Sequence, residues 1–291
     1  MKVIVTGASG FVGSHLAKEL GDDCKQISRN DLIEIDSKMF DGYEYIIHCA
    51  GQAEENGKTK KDTERILFES NVNLTKRLAQ AAIKSNIKKF IFISTLKVHG
   101  ESSHSKPFKY NDSHNPSSSY AKSKSEAEKV IISLTKNTKM DYVIIRPPII
   151  YGEGSRSNFT KLIDLIKVLP ILPFSKLHNR RSFVSIYNLV DLIKKCLISD
   201  KSSNKSFLVS DNHDLSTLEL ARMIAKIIKK NIVFLPIPPS ILKIMFTLIG
   251  KGKISEKIIE SLESDISYTM SELDWKPSLS VMEGLKKTLK T

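Results

Sequence analysis

A short β-branched run near the start of the chain leads directly into a glycine-rich loop and then into a helical pattern. The run is Val3-Ile4-Val5, the loop is Thr6-Gly7-Ala8-Ser9-Gly10-Phe11-Val12-Gly13, and a helix is predicted over 12–20. Directly after a strand, glycines at this spacing allow a tight turn, the close approach of a pyrophosphate to the backbone, and packing of the helix against the strand. The loop therefore predicts a dinucleotide site formed by Gly7, Ser9, Gly10, Phe11, Val12 and Gly13.

Apolar runs alternate with helical patterns through the first half of the chain. The runs are 3–5, 45–48, 90–93 and 142–145, and helices are predicted over 12–20, about 63–85 and 120–136. Near-continuous apolar strands that alternate with helices are typical of a parallel sheet covered on both faces. The predicted fold class is α/β, a Rossmann-type doubly wound parallel sheet with a smaller, mostly helical C-terminal domain.

The rhythm changes after Pro147, where helical patterns dominate. Helices are predicted over 158–168, 188–199, 216–230, 239–249 and 281–290, with short strands near 183–186 and 206–209. We expect a dinucleotide-binding domain over 1–150, to which 183–212 returns, and a substrate-binding domain over 151–291. The polar stretch 101–119 is a long loop, and loops of that length in compact domains are usually functional or disordered.

The charge is positive but spread along the chain. The 291 residues include 45 lysines and arginines against 32 acidic residues, which gives a formal net charge of +13. No basic run is interleaved with aromatic side chains, so we expect no nucleic-acid partner. A diffuse positive field suits small polyanions such as dinucleotides and nucleotide-sugars.

Cysteine use and hydropathy bear on metal binding and location. Cys24, Cys49 and Cys196 lie far apart and show neither metal-ligand spacing nor a disulfide framework, so we expect no metal and a reducing cytoplasm. The N-terminal run has no signal-peptide pattern. The longest near-apolar stretch, 232–250, is broken by prolines and a lysine, so no membrane insertion is expected. The basic helix over 239–253 fits a helix of the second domain or, as an alternative, one that lies on a membrane surface.

The residues that end the second strand bear on the choice of dinucleotide. An acidic side chain there would bind the adenosine ribose hydroxyls and favour NAD. The chain instead reads Gln26-Ile27-Ser28-Arg29-Asn30, and a guanidinium is suited to a 2′-phosphate. Ser28 and Arg29 therefore favour NADP(H) over NAD(H). Asp31 or Asp36 would serve the ribose if the strand ended elsewhere.

Tyr120 and Lys124 lie four residues apart and share one face of the helix predicted over 120–136. A free tyrosine has a pKa of about 10 and is a poor base at neutral pH. A nearby ammonium stabilises the phenolate, so Lys124 is expected to lower the pKa of Tyr120. The pair therefore predicts acid–base chemistry at the tyrosine hydroxyl.

These features resemble the extended short-chain dehydrogenase/reductase superfamily and, within it, the NAD-dependent epimerase/dehydratase family. The glycine loop resembles TGxxGxxG, the Tyr120–Lys124 pair resembles YxxxK, and Ser94-Thr95-Leu96-Lys97-Val98-His99-Gly100 resembles S-S/T-x-x-V-x-G. In that family the second Ser/Thr position carries the catalytic hydroxyl. The resemblance thus implies Thr95, Tyr120 and Lys124 as catalytic residues, with a separation of 120 − 95 = 25, and leaves Ser94 as the alternative to Thr95.

Further segments extend the resemblance over nearly the whole chain. His48-Cys49-Ala50-Gly51 resembles a loop that lies against the cofactor, and Arg146-Pro147-Pro148-Ile149-Ile150-Tyr151-Gly152 resembles R-P-x-x-V-Y-G. Asn71-Val72-Asn73-Leu74-Thr75 resembles N-V-x-G-T, with Leu74 in place of the glycine. The resemblance implies cofactor contacts for Ala50, Gly51, Asn71, Pro147, Tyr120 and Lys124. It also implies a homodimer formed through the helices 63–85 and 120–136.

Later segments are similar to those of nucleotide-sugar enzymes. In such enzymes the diphosphate is held by an asparagine at the position of Asn158 and by an arginine at that of Arg181. The arginine lies in a segment that resembles R-x-F-V-x-V-x-D, and guanidinium geometry suits its contact with the diphosphate. Segments 261–265 and 273–277 resemble the tail of bacterial UDP-sugar epimerases and 4-ketoreductases, with Asp274 in place of a glycine. A nucleotide-sugar, UDP-linked, is therefore the expected partner, and the expected substrate contacts are Lys97, Asn158 and Arg181.

The resemblance implies hydride transfer at the sugar 4-position. Dehydratases of the family carry Asp-Glu after the catalytic threonine, where this chain has Leu96-Lys97, so dehydration is disfavoured. Epimerases of the family usually retain tightly bound NAD beside an acidic residue, whereas a 4-ketoreductase uses free NAD(P)H. Ser28 and Arg29 stand where that acidic residue would be, so the favoured function is that of a UDP-sugar 4-ketoreductase. The alternatives are a UDP-sugar 4-epimerase with tightly bound NAD and a non-catalytic NADP-binding regulatory protein. Proteins of the last kind usually lack the tyrosine or the lysine.

Overall fold

The computed structural model describes residues 1–28, 30–53, 59–104, 106–155, 158–248, 250, 252 and 258–290. Its centre is a six-stranded parallel sheet in the order β2-β1-β3-β4-β5-β9. The strands are β1 (Val3–Thr6), β2 (Cys24–Ile27), β3 (Tyr45–His48), β4 (Lys89–Ile93), β5 (Asp141–Arg146) and β9 (Lys205–Leu208). The prediction of a doubly wound parallel sheet is confirmed, and so are the apolar strand runs.

The chain reverses direction across the sheet at β1. From β1 it passes to β2 on one side and then returns to β3 on the other side of β1. In open α/β sheets, ligands bind in the crevice at the carboxyl ends of the strands where the order reverses. This topology places the glycine loop after β1 and the loop after β3 at that crevice.

Two layers of helices cover the sheet. One core layer receives Val3, Val5 and Ile47 from the sheet, and the other receives the alternate residues Ile4 and Ile46. Side chains on successive strand residues point to opposite faces, so both faces of the interior strands β1 and β4 are buried, whereas the edge strand β2 is partly exposed. The first layer contains α1 (Phe11–Leu20), α6 (Ile186–Ile198) and α9 (Ser267–Leu273), and the second contains α3 (Leu74–Lys84) and α4 (Ser119–Thr135).

The helix predicted over 63–85 is divided into three parts. It consists of α2 (Lys60–Leu67), a π-helical turn over Phe68–Asn73, and α3. Short π-helical segments within α-helices often occur at functional sites. This turn buries Asn71, one of the predicted cofactor contacts, and it ends where Leu74 replaces the expected glycine.

A third core lies beyond the sheet. It packs α5 (Asn158–Val168), α7 (Thr217–Ile227), α8 (Pro239–Leu248) and α10 (Val281–Leu289) around Tyr151, Phe159 and Phe174. Two short parallel ribbons belong to this part of the chain: β6 (Ile149–Tyr151) with β8 (Phe183–Ser185), and β7 (Ile171–Leu172) with β10 (Val233–Phe234). Sequence analysis predicted the strand at β8 but not those at β6, β7 and β10.

A buried cluster of hydrogen-bonded polar side chains lies between the third core and helix α10. The Tyr151 hydroxyl donates to Asp211 Oδ2 at 2.6 Å, and Asn188 Nδ2 donates to Asp211 Oδ1 at 2.7 Å. Helix α10 passes so close that a Cβ on Gly284 would lie 2.4 Å from the Tyr151 hydroxyl oxygen. Burial raises the pKa of Asp211, while its hydrogen bonds oppose that shift. Within the described part of the chain, no helix is both long and apolar enough to cross a membrane.

Candidate functional site

The glycine loop has the backbone geometry that its sequence predicts. Gly7 takes a left-handed φ of +72°, and its carbonyl accepts a hydrogen bond from the Gly10 N–H at 2.9 Å. A Cβ on Gly13 would lie 2.2 Å from the Gly7 carbonyl oxygen, so only glycine allows α1 to approach this closely. Gly10 caps α1 without any side-chain hydrogen bond. The first N–H groups of a helix lack intrahelical acceptors, so Phe11, Val12 and Gly13 can present their amides to a pyrophosphate.

The loop after β3 lies directly against the glycine loop. A Cβ on Gly7 would be 2.6 Å from the Ala50 nitrogen, and one on Gly51 would be 2.9 Å from Asn71 Oδ1 and 3.3 Å from Lys124 Nζ. The predicted cofactor contacts Gly7, Ala50, Gly51, Asn71 and Lys124 are therefore brought together. They form a continuous path from the glycine loop to helix α4.

Asn71 fixes this path. Its Oδ1 accepts from the Gln52 N–H at 2.7 Å, and its Nδ2 donates to the Gln52 carbonyl at 3.0 Å and to Ser123 Oγ at 2.9 Å. Because Asn71 is buried in the π-helical turn, it can bond to the loop and to α4 at the same time. The substitution of glycine by Leu74 is thus compatible with the predicted position of Asn71.

His48 is a residue of this region that sequence analysis did not single out. Its ring is fully buried and bonds to Thr6 Oγ1 at 2.7 Å through Nδ1 and to Thr75 Oγ1 at 2.9 Å through Nε2. Burial, with a smaller contribution from the charge of Lys124, lowers the pKa of His48 to about 3. The signal for it was a single polar residue at the end of the apolar run 45–48.

Lys124 is buried at the carboxyl end of β4. Its Nζ donates to the Ile93 carbonyl at 2.9 Å and lies 4.5 Å from the centre of the Phe92 ring. Burial lowers the pKa of Lys124 to about 8. The amine therefore sits between the sheet and Gly51, close to the predicted cofactor path.

Tyr120 starts α4 one turn before Lys124, as the spacing predicts. Burial raises the pKa of Tyr120 to about 12. The prediction that Lys124 lowers the pKa of Tyr120 is wrong for this structure. The cause of the raised pKa is burial of the phenol, which disfavours the charged phenolate. The Lys124 ammonium is directed at the Ile93 carbonyl and the Phe92 ring.

Thr95 and Ser94 occupy different surroundings. The Ser94 hydroxyl donates to the carboxylate of Glu128, inside the core. Thr95 Oγ1 caps the turn that follows β4 by accepting from the Lys97 N–H at 3.4 Å. The same turn is tied to Pro147, whose carbonyl accepts from the Leu96 N–H at 2.8 Å. Ser94 is therefore committed to the core, and this favours Thr95 as the catalytic hydroxyl.

A buried charged network lies beneath this turn. Glu128 is fully buried and accepts from Arg146 Nη2 at 2.7 Å, and Arg146 Nη1 lies 3.1 Å from His99 Nε2. Burial and the charge of Arg146 lower the pKa of His99 to about 4. Sequence analysis quoted Arg146 only within a motif and did not identify Glu128. A carboxylate on the helix face of Lys124, four residues on, was the available signal.

Lys97, a predicted substrate contact in the turn after β4, is linked to the start of α4 through Glu101. Its Nζ donates to Glu101 Oε2 at 2.5 Å, and Glu101 Oε1 accepts from the Ser118 hydroxyl at 2.7 Å. Ser118 in turn caps α4 by accepting from the Ala121 N–H at 3.3 Å. The turn after β4 and the helix that carries Tyr120 are thus connected through one carboxylate.

Arg181 is buried near the third core. Its Nη1 donates to the Glu260 carbonyl at 2.8 Å, and within the described part of the chain its buried Nε has no hydrogen-bond partner. Burial lowers the pKa of the Arg181 guanidinium to about 10. A buried guanidinium with an unsatisfied N–H favours an anionic ligand that can supply the missing acceptor.

Of two further predicted contacts, the structure describes one only in its backbone and the other not at all. Asn158 begins α5, but its side chain lies outside the described residues, and so does the whole of Arg29. Strand β2 ends at Ile27, and the Ser28 N–H donates to Asp31 Oδ2 at 2.8 Å. Hydrogen bonds from Ser28 lower the pKa of Asp31. An ionised carboxylate therefore lies just after β2.

The site described so far contains no metal-binding arrangement. Across residues 1–290, in the parts that the structure describes, no group of three or more His, Cys, Asp or Glu side chains is placed to hold a metal ion.

Comparison with known proteins agrees with this arrangement. The model of the NAD dependent epimerase/dehydratase family matches residues 3–209. A UDP-glucose 4-epimerase from Vibrio cholerae is 38% identical over 307 residues, which cover 98% of this chain and 94% of that protein. The N-acetyl-alpha-D-glucosaminyl-diphospho-ditrans,octacis-undecaprenol 4-epimerase of Escherichia coli O157:H7 is 26% identical over 254 residues, which cover 81% of this chain and 75% of that protein.

The fold is also shared with solved structures. The UDP-glucuronic acid 4-epimerase from Bacillus cereus, in complex with UDP-glucuronic acid and NAD, superposes with a TM-score of 0.79 at 23% identity. That match covers 100% of this chain and 98% of the other. At this level of identity the likeness establishes the fold.

Proposed function

Because the chain belongs to the NAD dependent epimerase/dehydratase family, we propose that it is a nucleotide-sugar 4-epimerase that acts on a UDP-linked sugar. The observation that carries the proposal is the position of Lys124, one helical turn after Tyr120 and within reach of Gly51 in the cofactor path. The identity to a UDP-glucose 4-epimerase, over 98% of this chain, supports the same reaction.

The dinucleotide would lie along the crevice at β1 and β3. Gly7, Gly10 and Gly13 would hold its pyrophosphate, together with the amides of Ser9, Phe11 and Val12. Ala50, Gly51, Asn71 and Pro147 would line its nicotinamide half, with Lys124 at the ribose. The bound nicotinamide supplies an acceptor and donor of hydride.

Proton transfer at the sugar 4-oxygen would depend on Tyr120, Thr95 and Lys124. In the oxidation step, which comes first in an epimerase, Tyr120 would take the proton of the sugar 4-hydroxyl, and in the reduction step it would return that proton to the 4-oxygen of the ketone. Because burial raises the pKa of Tyr120 to about 12, the first of these proton transfers would need a positive charge beside the phenolate, which Lys124 and the oxidised nicotinamide of a bound cofactor would supply. Thr95 would hydrogen-bond the same oxygen and hold it in place.

Arg181 would bind the diphosphate of the substrate. Its unsatisfied buried Nε supports this role, because a bidentate contact to phosphate oxygens would use the free N–H. Asn158, at the start of α5, is proposed as a second diphosphate contact, and Lys97 as a contact to the sugar. In this proposal residues 1–150, joined by 183–212, hold the cofactor, and the rest of 151–291 holds the substrate.

The cofactor is proposed to be NAD. The complex of the Bacillus cereus epimerase with NAD supports this choice. Strand β2 ends at Ile27, as the sequence predicts, but the Asp31 carboxylate is held at the Ser28 N–H just after it, where it would serve the adenosine ribose. Arg29 is the argument for NADP(H), and with it for a second candidate function, a UDP-sugar 4-ketoreductase that consumes a free reduced cofactor. A non-catalytic role is not favoured, since Tyr120 and Lys124 are both in place.

A homodimer through the region 63–85 and helix α4 is part of the proposal. Phe68 in the π-helical turn and Ile132 on α4 are exposed apolar side chains on these elements. Their presence supports an interface there.

The reaction type can be tested with UDP-glucose and UDP-N-acetylglucosamine as substrates and proton NMR of the sugar. Formation of the 4-epimer without net change in absorbance at the nicotinamide band is expected for the epimerase. Stoichiometric oxidation of NADPH with a UDP-4-keto-sugar, and no epimer from either substrate, would favour the 4-ketoreductase and overturn the proposal. Tyr120→Phe serves as the inactive control and Tyr142→Phe, at the start of the interior strand β5, as the matched one.

A further inference from the structure

A row of apolar side chains lies exposed along helix α8. Helix residues three or four apart share a face, and the exposed fractions on one face are 47% for Ile241, 60% for Ile244, 49% for Met245 and 82% for Leu248. On the other side of the helix, Leu242 is buried in the third core. The helix is thus anchored by one side and presents an apolar row to the outside on the other.

The β7–β10 ribbon presents a second apolar face close by in the chain. Val233 pairs with Ile171 in the parallel register, and the two are 59% and 48% exposed. Leu235, two residues beyond Val233, is 40% exposed and precedes the start of α8 by four residues. The alternate residues, Leu172 and Phe234, pack into the third core. An exposed apolar patch of this kind on a globular protein usually marks an interaction surface.

The charge around these two faces has one sign. From Leu220 to Leu248 the sequence contains no aspartate or glutamate and five basic residues: Arg222, Lys226, Lys229, Lys230 and Lys243. Lys229, just before β10, and Lys243, on α8, are both exposed. Exposed apolar rows bordered by lysines are typical of helices that lie in the interface of anionic membranes.

We propose that the outer faces of α8 and of the β7–β10 ribbon form a docking surface for an anionic phospholipid membrane. The apolar row enters the boundary between headgroups and acyl chains, and the lysines contact the headgroup phosphates. Charge argues for this occupant over a second copy of the chain, since two copies of the segment 220–248 would bring basic groups together and the segment has no carboxylate of its own to balance them. The inference is independent of the proposed function.

Vesicle co-sedimentation tests the surface. We expect the protein to bind vesicles of phosphatidylcholine with phosphatidylglycerol, to bind pure phosphatidylcholine vesicles much more weakly, and to be released by salt. Ile244→Ser combined with Leu248→Ser should weaken binding by at least about tenfold. Lys229→Gln combined with Lys243→Gln should weaken binding to the anionic vesicles by about tenfold or more.

Matched controls lie elsewhere on the surface. Ile198, at the end of α6, is 72% exposed, so Ile198→Ser should leave binding unchanged. Lys136→Gln with Lys139→Gln removes two exposed lysines after α4 and should also have no effect. All variants should melt at the wild-type temperature and keep wild-type turnover of a UDP-sugar in free solution, because none of these residues belongs to the proposed active site.

Three outcomes would overturn the inference. The first is no binding to anionic vesicles by the wild type, and the second is an equal loss of binding in the test and control variants. The third is an oligomer of the wild type that Ile244→Ser with Leu248→Ser dissociates, without any vesicle binding, because the apolar row would then be an interface between copies of the chain.

Discussion

Arg180 and Arg181 are neighbours in the chain, but their guanidinium groups lie in opposite surroundings. The Arg180 side chain is 62% exposed, and its Nε donates to Glu263 Oε1 at 2.9 Å. Arg181 is buried, bonds to a carbonyl oxygen, and keeps an Nε that finds no acceptor among the described residues. An adjacent residue of the same type is therefore available as an internal control for the proposed diphosphate contact.

Arg181→Ala should weaken the binding of free UDP at least tenfold, or about 1.4 kcal/mol, because the phosphates lose a counter-charge. Arg181→Lys should recover part of the affinity, since lysine keeps the charge but lacks the fork. With a UDP-sugar substrate the effect should appear in KM, with kcat held, because the contact is the same in the ground and transition states. Calorimetric titration with UDP checks the affinities. Arg180→Ala should bind UDP as the wild type does, and unchanged affinity in Arg181→Ala would remove the diphosphate role.

Tyr120→Phe should lower turnover by roughly 10²–10⁴ and leave cofactor affinity nearly unchanged, because only proton transfer is lost. Lys124→Met should reduce both turnover and cofactor binding, since Lys124 lies beside Gly51 in the cofactor path. Steady-state kinetics and fluorescence titration of the dinucleotide measure the two effects. Wild-type turnover in Tyr120→Phe would show that another group carries the proton.

The choice of dinucleotide depends on two side chains after β2. If Asp31 binds the ribose, Asp31→Asn should weaken NAD(H) binding. Asp36→Asn, which removes the charge and leaves an oxygen to accept from the Lys38 N–H, should not. If Arg29 pairs with a 2′-phosphate, Arg29→Ala should weaken NADPH binding by about 1.5–3 kcal/mol and leave NADH binding unchanged. Dissociation constants for both dinucleotides, measured on each variant, separate the two cases. A loss of affinity for NADPH alone would favour the 4-ketoreductase.

Acid should destabilise the protein through its buried histidines. The pKa of His48 is about 3 in the folded chain, below its ordinary value of 6.5, so the unfolded state binds one more proton between these limits. Stability from this group is fully present above pH 6.5 and is lost as the pH falls toward 3, by about 1.4 kcal/mol per pH unit inside the window. Urea unfolding between pH 7 and 4 should show a smaller slope for His48→Gln than for the wild type. His104→Gln, on the exposed loop, should keep the wild-type slope.

The amino-acid sequence was sufficient to predict those features that depend on residues close together in the chain. The apolar runs of the sheet and the glycines at 7, 10 and 13 are local signals, and both the strands and the turn geometry follow from them. The position of Lys124 one turn after Tyr120 is local in the same sense. The helix over 63–85 was correct in place but not in form, because the π-helical turn serves a bond between Asn71 and the distant Ser123.

The remaining features depend on contacts that no spacing shows. Glu128 is an ordinary helix residue in the sequence and becomes the centre of a buried network only when β5 brings Arg146 to it. For a related reason the pKa of Tyr120 is raised, whereas the sequence predicted that it would be lowered. Proximity to a cation can be inferred from a four-residue spacing, but the depth of burial that opposes it depends on the whole fold.

The contact between Gly284 and the Tyr151 hydroxyl has a consequence for synthesis of the chain. Tyr151 and Asp211 are made well before α10, which closes over them and would be excluded by a single added methyl group. A nascent chain that stops short of 281–289 therefore exposes the third core and its buried carboxylate, although all six strands of the sheet are already present. Completion of the native state waits for helix α10 to leave the ribosome, and truncation within that helix should direct the chain to proteases instead of yielding a smaller enzyme.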